Sequence, residues 1–470
     1  MSELSPPATR HRSRVSAAYW LFLALLAAVA LTGGTSRYDS LSQVLVRTAA
    51  VLAMIGWALL PRRTQPAPPR LPFVFLALVA VAILIQLVPL PPSLWTAAAG
   101  RDFYAGIAPA AGLPQPWRPL NLSPERGWGS LFSLLVPLAT LVGLSMLSER
   151  RRLALVLPLI VLILVSAVLG LAQLSTGQNS ALRWYAYSSD RFAAGLFANR
   201  NHQAVLLSFA LPLLAIWAME RRDDPRHNPR HRAVMALGVG MFVLLMIPTT
   251  GSRAGFVVVI AALLGAVALS ASPTLRALRR MPRRRRRLTY GAAAAALAVF
   301  AVVAWLFGRN EAFHRIRGLD VAEDLRARVL PTLLEMTQIF FPIGSGVGSL
   351  EPVYRRFEPF EQLSTSYLNM AHNDLLQVVL EAGLLGAALL GAFVVWWLVR
   401  SIAVWRATPS SAVRAGRAGS IMIALLLAAS AVDYPVRTPL MMMLITIAAI
   451  WLEQAGKPIG NQPLTARLRG

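Results

Sequence analysis

The stretch "AHNDLLQVVLEAGLLGAALLGAFVVWWLVR" covers Ala371–Arg400. From residue 377 to its end it is apolar, with Glu381 the one charged side chain before Arg400. A helix needs about 20 such residues to cross a hydrocarbon layer, and this run supplies them. Just before it stand His372, Asn373 and Asp374. Titratable groups at the mouth of a membrane span raise two questions: which side they face, and what they meet there. Composition extends the reading to the whole chain. Of its 470 residues, 56% are hydrophobic and 14% charged. A soluble chain of this size has no means of hiding so much apolar surface, so the sequence reads as an all-α, polytopic membrane protein.

About twelve spans are expected, near 16–33, 42–60, 71–90, 127–148, 153–174, 196–219, 233–249, 252–271, 289–308, 377–400, 418–436 and 438–453. "SAAYWLFLALLAAVALTGG" lacks a cleavage context, is followed by further spans, and is read as the first of them. The chain then divides into residues 1–308 with nine spans, a large loop at 309–376, and residues 377–470 with three spans and a tail. The net charge of +25 comes from arginines between spans. Taking alternate gaps, most of the 46 lysines and arginines fall on one side, including "RRRRR" at 283–287. The positive-inside rule puts that side, and both termini, in the cytoplasm. The basic runs are therefore orientation signals and not a nucleic-acid surface. With no cysteine, neither disulfides nor thiolate chemistry arise.

The opposite, extracytoplasmic side holds three longer segments, at about 91–126, 175–195 and 309–376. Loops of this length in a compact protein are usually functional. Within the last, "DLRARVLPTLLEMTQIFF" has apolar residues at helical spacing, which predicts an amphipathic helix on the membrane surface or over a cavity. "PIGSGVGSL" reads as a glycine turn. No Lys-Ser or Lys-Thr follows it, so it is not a nucleotide phosphate loop.

The even-numbered spans begin on this side. Helix N-termini present unpaired N–H groups and partial positive charge, and so attract anions. Span six is entered through "DRFAAGLFANRNHQA", with Arg191, Asn199, Arg200, Asn201 and His202. Span eight begins "TTGSRAGF", with Ser252 as a helix cap and Arg253 in the first turn. Span ten begins with His372, Asn373 and Asp374. Arginine near hydrocarbon costs of the order of 2–3 kcal/mol at a helix centre, less at the interface, and such residues tend to meet an anion. Snorkelling or pairing within the bundle is the structural alternative for Arg200 and Arg253, and helix capping is the alternative for His372. No Asp-x-Asp pair, metal-ligand spacing or Gly-x-Ser-x-Gly elbow occurs on this face. What remains is a metal-free, cofactor-free site with arginines for a diphosphate and a histidine for a hydroxyl proton.

Four motifs in order resemble the O-antigen ligase superfamily, which includes lipopolysaccharide O-antigen ligases, surface-polysaccharide polymerases and protein O-oligosaccharyltransferases. They are "RFAAGLFANRNHQA", "TGSRAG", "PIGSGVGSL" followed by "VYRRF", and "AHNDLLQVVLEAGLLG", together spanning about 190–390. Arg200 stands between the two asparagines where the family often has proline. The resemblance implies the helical fold of lipid-sugar glycosyltransferases, with a large extracytoplasmic loop over the site. It implies a bacterial inner-membrane enzyme of cell-envelope polysaccharide biosynthesis that needs no cofactor or metal. The implied donor is a glycan on undecaprenyl diphosphate, and the acceptor is the lipid A core, another lipid-linked glycan or a protein hydroxyl. By position, Arg191 and Arg253 would neutralise the leaving diphosphate and His372 would activate the acceptor hydroxyl. Arg200, Asn199, Asn201, His202, Ser252, Asn373 and Asp374 would complete substrate binding. The rival class is a transporter. Coupled transporters carry acids within spans and repeat between halves. Here the span interiors hold few acids, Asp433 lies near an end, and the halves do not repeat.

Overall fold

The structure is a computed structural model that describes residues 9–61, 69–177, 180–189, 191–220, 229–280, 321–363 and 367–455, with scattered positions between 282 and 302. Its principal helices are α1 (Thr9–Thr32), α2 (Leu41–Ala58), α3 (Arg70–Leu87), α4 (Pro124–Ser145), α5 (Glu149–Thr176), α6 (Arg200–Met219) and α7 (Pro229–Thr249). They continue with α8 (Arg253–Arg280), α9 (Val321–Phe340), α10 (Leu350–Phe357), α11 (Asp374–Arg406), α12 (Ser411–Ser430) and α13 (Pro439–Ala455). Among the described residues the only strands are a short antiparallel pair, β1 (Pro89–Leu90) and β2 (Arg118–Pro119).

The protein is an all-α polytopic membrane protein. Among the described residues, nine helices are long and apolar enough to cross a membrane, and Ala17–Thr32 and Pro439–Ala455 are shorter apolar helices. Most of the span expected at 289–308 lies outside the described residues. Apolar side chains occupy the outside of the bundle as well as its core. Leu41, Val44, Leu52 and Ile55 of α2 and Val74, Leu78, Val81 and Ile85 of α3 are all exposed. A helix apolar on every side fits hydrocarbon, since water would penalise its outer face. Among the nine long spans the most buried are α6 and α12, at 78% and 67%, and the shorter α13 is buried along most of its length. α6 packs on α8 and α7, and α12 packs on α13.

One boundary differs from expectation in a way that matters. The eleventh span was expected at 418–436 but runs from Ser411 to Ser430. Ser410 starts it early, its hydroxyl accepting from the Val413 amide at 3.1 Å. The helix then ends, and 431–438 forms a turn with a short 3-10 segment at Pro435–Arg437. Asp433 and Tyr434 therefore sit in a turn at the bundle's end and not inside a span.

The segment that expectation filled with an amphipathic helix holds α9. Val329, Leu333, Met336 and Phe340 are buried along one stripe of it, at the three- and four-residue spacing of a helix face. Together with Leu350, Val353 and Tyr354 of α10, and with Leu368, Ala371 and Leu380, they form a second, smaller core. Ala371 immediately precedes His372, so this small core anchors the histidine's segment.

The glycine turn after α9 docks on a break in α11. Gly383 has φ 58° and ψ −142° inside that helix, a conformation only glycine adopts freely. Breaking the ladder frees backbone groups, which need partners in an apolar setting. The amides of Ser345 and Gly346 take the Leu380 and Glu381 carbonyls at 2.9 and 2.8 Å, and the Leu384 amide takes the Pro342 carbonyl at 2.8 Å. The "PIGSGVGSL" and "EAGLLG" motifs are thus two halves of one backbone clasp.

Candidate functional site: a cationic cavity where three helices begin

Three helices start at one end of the bundle, and each start is capped by its own side chain. Asn199 accepts from the Asn201 amide at 2.8 Å, Ser252 from the Gly255 amide at 2.9 Å, and Asn373 from the Leu376 amide at 3.0 Å. Asn and Ser are among the strongest capping residues because a short side-chain oxygen reaches the first-turn amides. Buried amides fix the approach to α6. Gln173 binds the Ala194 and Gly195 amides at 3.1 and 2.8 Å, and Gln203 bonds Ser166 at 2.6 Å.

The three starts face a cavity of about 430 Å³. Its walls include Arg37, Arg200, Arg253, His202 and His372. Among the described residues no carboxylate lines it. Arginines and helix N-termini together are groups of the kind that attract anions. The Arg200 guanidinium lies 3.8 Å over the Phe192 ring. That pair passes directly across Gly251, where a Cβ would come within 2.2 Å of the ring, which accounts for the glycine of "TGSRAG".

His372 has φ 52°, the one positive value outside glycine among the described residues. Such a conformation costs of the order of 1–3 kcal/mol and tends to occur at functional sites. Its Nδ1 lies 3.6 Å from Oδ1 of Asp433, as does Nε2 of His202. Both separations are longer than a hydrogen bond. The Tyr434 ring stands edge-on between the two imidazoles, with centroids 5.1 and 5.0 Å away.

Asp433 is the hub of this end of the molecule. It is 2% exposed. Asn199 donates to both its oxygens at 3.3 Å, Asn201 donates to Oδ2, and the Tyr434 amide donates at 2.9 Å. Burial alone would raise its pKa. The attraction of His202 and His372 outweighs that and holds it well below the usual carboxylate range. A buried, ionised aspartate thus lies beneath a cationic cavity.

The sequence-derived residues separate into groups here. Asn199, Arg200, Asn201, His202, Arg253 and His372 line the cavity. Ser252 and Asn373 act as caps behind it. Arg191 is exposed on the segment leading to α6 and is not among the lining residues. Asp374 turns away: it pairs with Arg437, which also bonds Glu381 at 3.3 Å. Sequence reading noted Asp433 only as an acid near a span end, and missed Arg37, Tyr434 and Arg437 altogether. Their only local signal was polar and aromatic character packed into two short turns, "GGTSRY" and "VDYPVR".

A second cavity, of about 650 Å³, opens between α3, α11 and α13. Leu78 and Val79, Leu389 and Phe393, and Ile445 and Ala449 give it apolar walls, while Arg47, Arg126 and Arg437 stand at its polar end beside Glu351, Asp374 and Glu381. Ser36 and Asn369 line both cavities, so the two share a wall.

The fold and site define a polytopic helical membrane protein with an arginine-lined cavity at one end, next to an apolar groove. The family model described as O-antigen ligase matches residues 238–391. That stretch, which holds three of the four motifs, is similar to the O-antigen ligases. No curated protein matches the chain.

Proposed function

We propose that this protein is a glycan transferase that moves a glycan from undecaprenyl diphosphate to an acceptor hydroxyl, at the extracytoplasmic face of a bacterial inner membrane. The observation that carries the reading is the shared wall at Ser36 and Asn369. There an apolar groove suited to a polyprenyl tail meets a cationic cavity suited to a diphosphate, with His372 at its edge.

In this reading Arg253 and Arg200 grip the diphosphate, with the α6 and α8 amide ends behind them and Arg191 at the approach. Guanidinium forks match phosphate oxygens, and stabilising charge on a leaving group is often the largest catalytic contribution. The acceptor oxygen attacks the sugar's anomeric carbon, the bond from that carbon to the phosphate oxygen breaks, and the diphosphate leaves with the electron pair. The acceptor's proton passes to His372, and Asp433 orients the imidazole and stabilises its cation. The anion is neutralised by arginines, so the transfer proceeds without a metal ion. The lipid A core is the acceptor we favour.

The test is transfer by purified protein from lipid-linked glycan to acceptor, in the presence of a chelator. His372→Ala should accumulate normally and bind the donor, yet lose about 10²-fold to 10⁴-fold in turnover, the range a positioned base supplies. Wild-type rates from His372→Ala, or a strict metal requirement, would defeat the mechanism.

A further inference from the structure

The cavity's mouth carries an aromatic assembly that the diphosphate chemistry leaves unused. It starts from the loop after α1. That loop is fixed at every step: the Gly33 carbonyl accepts from Leu440 at 3.0 Å, the Gly34 carbonyl from Ala198 at 3.0 Å, and the Thr35 carbonyl from Gln43 at 2.7 Å. Arg37 emerges from this rigid base onto the cavity wall. Its guanidinium lies 4.0 Å over the Tyr187 ring and 5.1 Å over the Tyr367 ring, and it donates to the Tyr367 hydroxyl. Tyr187 also lines the cavity. The two tyrosines nevertheless remain 67% and 40% exposed. Arg37 thus joins the two rings at the edge of a polar cavity, with Arg355 also 5.6 Å from the Tyr367 centroid, and much of the Tyr187 surface stays open.

We propose that Tyr187 and Tyr367, fixed by Arg37, form a carbohydrate subsite for a pyranose ring of a glycan substrate. This rests on the glycan-transfer reading above. The face of a pyranose presents polarised C–H groups, which suit the negative face of an aromatic ring. Tyrosine supplies that contact with few rotatable bonds, so little entropy is lost on binding. Arg37 lowers the cost further by holding the rings before the sugar arrives. The sugar belongs either to the donor or to the acceptor, and kinetics tell the two apart.

The experiment uses purified full-length protein in nanodiscs. Tyr187 is mostly exposed, so Tyr187→Ala leaves no hole in a core. With cell-extracted lipid-linked glycan and acceptor, Tyr187→Ala should raise KM for one of the two about threefold to tenfold, with kcat little changed. Tyr187→Phe, which keeps the ring, should stay within about twofold of wild type. A rise for the donor places the subsite on the donor glycan, and a rise for the acceptor places it there. Unchanged KM for both, or a Phe variant as weak as Ala, would overturn the proposal. A binding arm works even without turnover. Where the donor KM is the one that rises, wild type should hold synthetic undecaprenyl diphosphate bearing one N-acetylhexosamine more tightly than the bare lipid, and Tyr187→Ala should lose that preference. Equal wild-type affinity for the two lipids, together with an acceptor KM unchanged in Tyr187→Ala, would overturn the subsite while leaving His372-dependent transfer intact.

Discussion

At the scale of single residues, the site is built on contrast between buried acid and lining base. Asp433 keeps its charge among Asn199, Asn201, His202 and His372, and the cavity above it is lined by arginines. Asp433→Asn preserves shape but removes the charge that favours an imidazolium. Turnover should fall by about 10-fold to 100-fold, part of what a base contributes, with donor binding kept. A matching loss of donor affinity in an equilibrium measurement would mean that Asp433 builds the pocket and does not orient His372. Arg253 allows a sharper substitution. Lysine keeps the charge but loses the planar fork, so Arg253→Lys should be nearly as damaging as Arg253→Ala in a cellular glycan-transfer assay. Full transfer at normal protein levels would remove the support for gripping by this residue.

At the scale of elements, the clasp between the glycine turn and the break in α11 ties the long segment after α9 to the bundle. A Cβ on Gly383 would stand 2.1 Å from the Pro342 carbonyl oxygen. The φ of 58° adds strain for any other residue. Gly383→Ala should therefore destabilise the protein by about 1–3 kcal/mol and loosen the segment that carries His372. Gly391, two turns further along the same helix, meets nothing within 4 Å. Gly391→Ala should be neutral or slightly stabilising, because alanine favours helix by up to about 1 kcal/mol. Thermal unfolding in detergent of the two variants side by side checks this, and equal midpoints would show the clasp to be dispensable.

At the scale of the molecule, everything depends on which way the bundle faces. The loops 33–40, 186–189, 198–199, 369–373 and 431–438 converge at one end, and the alternation of spans in the sequence puts the arginine-rich gaps opposite. By the positive-inside rule, the proposed orientation puts the cavity on the extracytoplasmic side. A reporter placed near Glu335 should be active outside, and one in the "RRRRR" run inside. A cytoplasmic signal at Glu335 would leave the cavity without access to a glycan acceptor across the membrane and would sink the proposed reaction.

The sequence by itself determined the class of fold, because hydrocarbon imposes long apolar runs that survive in one dimension. It also marked the three helix starts, since capping is local: Asn199, Ser252 and Asn373 act within three residues of themselves. His372 was legible as a polar residue at the mouth of a span. Asp433, Arg37 and Tyr187 were not legible as partners of that site. They lie in different loops, and only packing brings them together. The 431–438 turn in particular was read as the end of one span and the start of the next, and its exit from the helix shows only where α12 meets α13. Likewise the two glycine motifs read as separate turns until Gly383 broke α11 and the freed carbonyls took the amides of Ser345 and Gly346. Local chemistry fixes where helices start. Which starts share a cavity, and which acid lies beneath it, follows from contacts between segments far apart in the chain, and a linear pattern carries no trace of them.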